Sequence, residues 1–386
     1  MSKFRWVMLP LTVGLALVAT TQVGARTEGA AAKPPIKIGI SLPLTGNFSE
    51  PGTAAMRGYK IWQQLINKQG GLLGRKVQVI IRDDASNQNT IVADYTRLIT
   101  EDKVDLLLGT FSSLLNLPAS AVAERFKMVY VEPAGGSPKM FNRGFEYLFF
   151  AQQATAPHQG DLFAAWVKKL PAGKRPKTAA YPMADDPFAD PPVQLAQQML
   201  QSAGIKSSGA DIVAEGAVFD DGVAIIRSFK KLDYNPKVLF ETSAPSESEL
   251  FSKAIGVQNT AGIFYAVSWS PSAKGPKYPK NQEFLRAYKK AYQGKIPAED
   301  AADAFAAAQV LETAVRKVGR IDQDAIKDYL HSHPVRTILG PLSWDKTGAP
   351  RQAFLLAQWQ GGKSQIVLPK VIATSKKIIF PKPAWR

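Results

Sequence analysis

Short apolar runs alternate with segments of helical spacing along most of the chain. Ile36 to Ile40 is an apolar run of strand length, and residues 53–68 carry Ala55, Gly58, Trp62, Leu65 and Ile66 on one helical face. Gly70-Gly71 ends that helix and Gly74 turns the chain. Val77 to Ile81 reads as a strand, and Ile91, Tyr95, Leu98 and Ile99 mark a second helix. The apolar run from Val104 to Leu108, interrupted only by Asp105, suits a strand covered on both faces. A helix near 118–126 and a strand over 128–131 follow. A second block repeats the alternation, with strands at 178–182, 211–219, 237–241 and 261–267 and helices at 159–169, 192–203, 221–231 and 246–255. Two long helical stretches, 281–293 and the alanine-rich 298–318, lead to a β-like end over 354–360 and 365–368 with Gly361-Gly362 as its turn. This order predicts an α/β fold, with parallel sheets flanked by helices, built as two lobes between which the chain crosses more than once.

Composition narrows the chemistry. The chain has 386 residues, 45% of them hydrophobic and 21% charged, which suits a globular protein of two domains. It has no cysteine, which excludes thiol catalysis, disulfides and cysteine metal sites, and only three histidines (His158, His331, His333). Net charge is +16, a balance that favours anionic ligands or an anionic membrane face. Lys3 and Arg5 precede an uncharged stretch from Trp6 to Ala25 that closes on Val23-Gly24-Ala25, the order of a secretory signal over 1–25. The competing reading is an uncleaved anchor, since the stretch is long enough to span. Pro10 and the weakly apolar Thr20, Thr21 and Gln22 favour a signal cleaved near Ala25 and a periplasmic protein.

Several ordered segments resemble the branched-chain amino-acid (Leu/Ile/Val) binding type of periplasmic solute-binding protein of ABC transporters. They are the opening Ile36-Lys-Ile-Gly-Ile-Ser-Leu-Pro-Leu-Thr-Gly46, Gly52, Gly58, and Ile66-Asn67 ahead of Gly70-Gly71-Leu72-Leu73-Gly74. Asp83-Asp84, Gly109 with Ser112-Ser113, Pro118 and Pro133-Ala134-Gly135-Gly136 continue the pattern. Gly340-Pro341-Leu342-Ser343-Trp344-Asp345 and Gln358-Trp359 close it. The resemblance implies the type I periplasmic binding fold: two Rossmann-like lobes joined by a three-strand hinge, with a ligand cleft between. Lobe 1 is expected over 36–155 plus 270–355, and lobe 2 over 156–269 plus 356–386, short of one strand–helix unit near 205–210. The implied activity is solute capture for an inner-membrane ABC permease by a monomer that needs no cofactor. The alternatives are a ligand sensor of the same fold reporting to a membrane receptor, and an exported enzyme acting on a small acid.

Open α/β sheets bind ligands beyond the carboxyl ends of their strands. Two small-residue loops stand there: Phe111-Ser112-Ser113 after one strand, and Ala134-Gly135-Gly136 after another. The resemblance assigns ligand carboxylate contact to Ser113 and backbone donors to Ala134–Gly136. The plainer reading is that Ser112 and Ser113 only cap the following helix. Phe111, Phe188, Phe219 and Trp269 are candidate apolar walls or ordinary core. Family amino-acid binders carry an acidic residue for the ligand ammonium where this chain aligns Ala244, and an aromatic where it has Pro51. A buried ammonium without a carboxylate costs several kcal/mol, which favours a small organic acid, aromatic or otherwise, over an amino acid. His331-Ser-His333 lacks a third metal ligand, Asp185-Asp186 and Asp220-Asp221 suit helix N-termini, and Lys168 to Lys177 reads as a solvated loop, so neither a metal nor nucleic acid is expected.

Overall fold

The structure is a computed structural model that describes Met1, Lys3 and residues 33–386; the rest of the expected signal lies outside the described residues. The first sheet uses five parallel strands, β1 (Ile36–Leu42), β2 (Val77–Asp83), β3 (Leu106–Leu108), β4 (Tyr130–Glu132) and β5 (Leu148–Phe150), in the order β2-β1-β3-β4-β5. Between them run α1 (Ser49–Lys68), α2 (Gln88–Thr100), α3 (Ser113–Arg125) and the short α4 (Pro138–Phe141). Alternate side chains feed two cores. Val129 and Val131 join the face that includes Ile38, Ile40 and Leu108, whereas Tyr130 joins the face of Leu107 and Leu115.

The second half strings together α5 (Asp161–Lys168), β6 (Ala179–Ala180), α6 (Asp190–Ser202), β7 (Ile212–Glu215), α7 (Phe219–Lys231), β8 (Val238–Glu241), α8 (Ser248–Ile255) and β9 (Ile263–Val267). The chain then returns to the first half for α9 (Asn281–Ala291), α10 (Glu299–Val318), α11 (Gln323–Ser332) and the hairpin β10 (Val335–Thr337) and β11 (Gly340–Leu342). It ends in β12 (Leu355–Gln360) and β13 (Lys363–Leu368), which complete a six-stranded sheet ordered β13-β12-β9-β8-β7-β6. Strands β6 to β9 are parallel, and β12 and β13 are antiparallel additions. Where the three crossings between the halves meet, Ala154, Ala266 and Phe354 form a small cluster of their own.

The alanine content of α10 has a packing cause. The helix is buried for most of its length, and a Cβ at Gly58 of α1 would stand 2.0 Å from the Ala301 carbonyl oxygen. Only small residues let two helices approach that closely. The contact fixes the N-terminal turn of α10 beside the first sheet.

Several elements differ from the sequence expectation. The helix expected over 118–126 begins at Ser113, and the strand expected over 211–219 stops at Glu215, after which the chain turns into α7. Elements β5, α4, α11 and the β10–β11 hairpin have no counterpart in the periodicity reading. Between α6 and β7 no helix intervenes. Lys206 alone bridges Thr178 on the edge of β6 away from β7, through Ala179 N–H to Lys206 O (2.9 Å) and Lys206 N–H to Lys177 O (2.9 Å).

Candidate functional site

The strand order 2-1-3-4-5 reverses between β1 and β3, so the loops leaving these strands diverge and leave a crevice at their carboxyl ends. The loop after β3 carries Phe111 and Ser112, and the loop after β4 carries Ala134 and Gly136; all four line a cavity of about 650 Å³, counted out to its open mouth. Gln159, Phe188, Val218, Thr242 and Ser243 face them from the second half. The cavity is therefore the cleft between the two sheets.

Ser112 occupies the N-cap position of α3, yet its side chain makes no cap hydrogen bond. It is 3% exposed, and its hydroxyl has no partner. A buried hydroxyl left unpaired costs about 1–3 kcal/mol, and here it stands beside the positive end of a 13-residue helix. Capping is thus not what Ser112 does. Gln159 Oε1, on the opposite side, is also buried and unpaired. These two groups are open to a solute.

Three of the sequence-predicted residues stand off the cavity lining. Ser113 is fully buried because its hydroxyl turns inward to accept the Ser137 N–H at 3.1 Å. Gly135 is withdrawn by Glu132, whose Oε2 accepts the N–H groups of Ala134 (2.8 Å) and Gly135 (2.5 Å). Two of the three backbone donors expected for a ligand carboxylate, those of Ala134 and Gly135, are therefore occupied by the protein's own carboxyl group. Phe219 starts α7 and packs on the core of the second sheet. Trp269 is likewise core, its indole N–H held by Asn281 Oδ1 at 2.8 Å. Pro51 is buried in α1; the aromatic from that region is Phe48, which meets Phe111 edge-on with ring centroids 5.6 Å apart.

The larger departure is electrostatic. Ala244 is buried away from the lining, but Glu299, Asp300 and Asp303 at the start of α10 all line the cavity. No lysine or arginine lies among the lining residues. Glu299 Oε1 accepts the Ser268 backbone N–H and the Ser268 hydroxyl, and that hydroxyl also lies 2.8 Å from Asp303 Oδ1. The Asp300 carboxyl lies near that of Glu247, which comes from the other half of the molecule. Burial pushes the Glu299 carboxyl up to about 7 and raises Asp300 and Asp303 well above the usual carboxylate range, with neighbouring carboxylates adding to the effect. The sequence argument against an ammonium partner assumed that such an acid would come from the position of Ala244. The fold supplies acids from a helix 55 or more residues further on.

Glu132 is the third buried feature: desolvation holds its carboxyl near 8, even with two N–H donors on Oε2. His331 and His333 are structural. His331 meets the carbonyl oxygens of Asp345 and Glu146, and His333 stacks on Tyr329.

A family model described as a periplasmic binding protein matches residues 35–206 and 203–363. The two matched segments meet where the chain passes from α6 to β7 without a helix. The Leu/Ile/Val-binding protein homolog 7 of Brucella suis biovar 1 is 25% identical over 396 residues, covering 93% of this chain and 98% of its own. Among solved structures, the branched-chain amino acid transporter substrate-binding protein LivJ of Streptococcus pneumoniae, in complex with isoleucine, superposes with a TM-score of 0.72 at 18% identity, over 86% of this chain and 97% of that one. A solute-binding protein of an ABC transporter of R. palustris, in complex with benzoate, gives 0.68 at 20% identity, over 91% and 97%.

Proposed function

Because the chain belongs to the periplasmic binding protein family, we infer that it is the substrate-binding component of an ABC importer, capturing a small solute in the cleft and presenting it to an inner-membrane permease. The observation that carries this reading is the unpaired Ser112 hydroxyl in the cleft, set at the α3 N-terminus and faced by the unpaired Gln159 carbonyl of the other half. A solute that touches both would favour the closed arrangement of the lobes, because only that arrangement offers it both partners. The Ser112 end suits a carboxylate: one hydroxyl donor and the free N–H groups of a helix start. Binding of this kind involves no covalent step.

The finer points belong to the same reading. The chain is exported, its signal is removed near Ala25, and it acts in the periplasm. The lobes divide at 155/156, 269/270 and 355/356, and the second lobe lacks one strand–helix unit beside β6. The two related structures were solved with an amino acid and with an aromatic acid, and both classes bear the carboxylate that Ser112 suits. The preference for an acid without an ammonium lapses with the argument from Ala244.

The test is mass spectrometry of whatever co-purifies with the natively exported protein, followed by calorimetric titration of the identified solute. Ser112→Ala is expected to weaken binding by about tenfold, the worth of one good hydrogen bond to a charged group, while the melting temperature of the empty protein holds or rises, because the unpaired hydroxyl is gone. Unaltered affinity would remove Ser112 from the site. Conversion of the solute to a product would replace capture by catalysis.

A further inference from the structure

The carboxylates at the start of α10 exceed what carboxylate capture needs. Glu299, Asp300 and Asp303 line the cavity, and Glu247 reaches Asp300 from the opposite half. Acidic residues in the first turn of a helix are commonplace, since they face its positive end. That account covers exposed side chains. It does not explain Asp303, which is 4% exposed, or Glu247, which is 5% exposed and lies on another element. Nor does it explain why the same cavity holds the unpaired Ser112 hydroxyl and no basic residue.

We propose that this cluster is a subsite for an organic cation, and that the solute carries net positive charge, with an alkylammonium or guanidinium group seated among Glu299, Asp300, Asp303 and Glu247. The proposal rests on the reading of the cleft as a solute site and names the class of solute. Acids grouped in a low-dielectric site without a counter-charge cannot all ionise. In the empty cleft they therefore hold protons, and burial together with the neighbouring carboxyl groups raises Asp300 and Glu247 above the usual carboxylate range. An incoming ammonium supplies the missing charge. The carboxyl proton then passes to solvent, while the ammonium keeps its own and donates it in a hydrogen bond to the carboxylate. Cation binding and proton release are one event. The contact between Asp300 and Glu247 joins the two halves, so a cation placed there also holds them together.

The surrounding groups leave this role open. From α1, Glu50 adds negative charge near Glu247, and Arg57 is turned to Tyr288 and the Tyr292 ring, 5.3 Å from its centroid. Tyr59 of α1 and Tyr265 of β9 are buried phenols close to Asp303 and Glu299, both held in the neutral form. Gln152 lies near Asp303, and its Nε2 donates to Pro133 O at 2.9 Å. None of these places a fixed positive charge on the cluster.

The experiment is isothermal titration of the full mature protein, stripped of bound solute by unfolding and refolding, with arginine, agmatine, leucine and benzoate in two buffers of different ionisation enthalpy at pH 6.5. Arginine and agmatine are expected to bind at least about tenfold more tightly than leucine or benzoate, and to release about one proton per solute. Asp303→Asn and Asp300→Asn are expected to remove both the preference and the proton release while keeping a cooperative melt; should either variant fail to melt cooperatively, the buffer comparison on the unaltered protein decides. Tighter binding of leucine or benzoate, or cation binding without proton release, overturns the cation subsite and leaves solute capture standing. Failure of both cationic compounds to bind also overturns it, and solute capture then stands or falls on the co-purified molecule.

Discussion

Both sheets bury glutamates at the carboxyl ends of their parallel strands, and the two sets are handled in opposite ways. Glu132 ends β4 in the first sheet, and the loop that follows folds back so that two of its N–H groups reach one carboxyl oxygen. Glu215 and Glu241 end β7 and β8 in the second sheet, directly opposite each other in register. All four of their carboxyl oxygens are buried and unpaired. Burial raises both well above the usual range, and the Glu241 carboxyl adds to the rise at Glu215. The difference teaches that a buried acid at a strand end either takes donors on one oxygen, in which case it organises a loop even while burial keeps its carboxyl near 8, or has none, in which case it behaves as a polar filler. Glu132 organises the loop that faces the solute. The Glu215–Glu241 pair sits behind the turns of the opposite side, which are joined instead by Thr242, whose hydroxyl donates to Ala217 O at 2.9 Å and accepts Ala217 N–H at 3.0 Å.

Four changes, in falling order of effect, break or sharpen this contrast. Glu132→Ala leaves the Ala134 and Gly135 N–H groups without their acceptor and opens space under the loop; a loss of about 3 kcal/mol is expected from urea unfolding. Equal stability for this variant and for Glu241→Gln would end the contrast. The next largest effect is of pH. The folded-state values near 7 for Asp84, near 8 for Glu132 and near 7 for Glu299 all exceed those of the unfolded chain. The folded protein therefore binds more protons, and its stability falls as pH rises from 5 to 7. A drop of several degrees in melting temperature is expected, at about 2 °C per kcal/mol for a chain of this size. Lys382, lowered to about 7, acts in the other direction only above that pH, so the slope is to be read below it. A flat or rising profile from 5 to 7 would mean that these acids are not buried in solution. Thr242→Val removes both ties to Ala217 and is expected to cost about 1–2 kcal/mol by the same urea measurement. Glu241→Gln comes last, within about 0.5 kcal/mol of the parent at pH 6, because an amide replaces a carboxyl group that was already neutral.

The parts of this molecule legible in its sequence are those where local pattern and tertiary placement agree. Strands such as Ile36–Leu42 and Val238–Glu241, buried along nearly their whole length, give short stretches dominated by apolar residues, and α1 and α10 show helical spacing over 20 residues each. Three-residue strands such as Leu148–Phe150 carry no period to detect. At the site, Phe111, Ser112, Ala134, Gly136 and Phe188 line the cavity, because loops beyond strand ends are positioned by the topology itself. Ser113 was not separable from Ser112, since adjacent residues point in different directions and only the coordinates say which way. The α10 acids were invisible for another reason. In the sequence Glu299-Asp300 is an ordinary helix start, and its approach to the cleft depends on Gly58 and Ala301 letting two helices close up, a contact made across more than 240 residues of chain. The fate of the Ala134 and Gly135 N–H groups depended on the rotamer of one glutamate.

The direct passage from α6 to β7 has a consequence at the margin of the second sheet. β6 has only two residues there, and the chain beside it adds the single bridge at Lys206. An outermost strand is where a foreign peptide can zip on and seed aggregation. Here the exposed selvedge is only about 7 Å long, and Lys177 and Lys206 flank it with like charge. By trimming its border to that length, the protein offers little template at this margin on which a second copy could stitch itself.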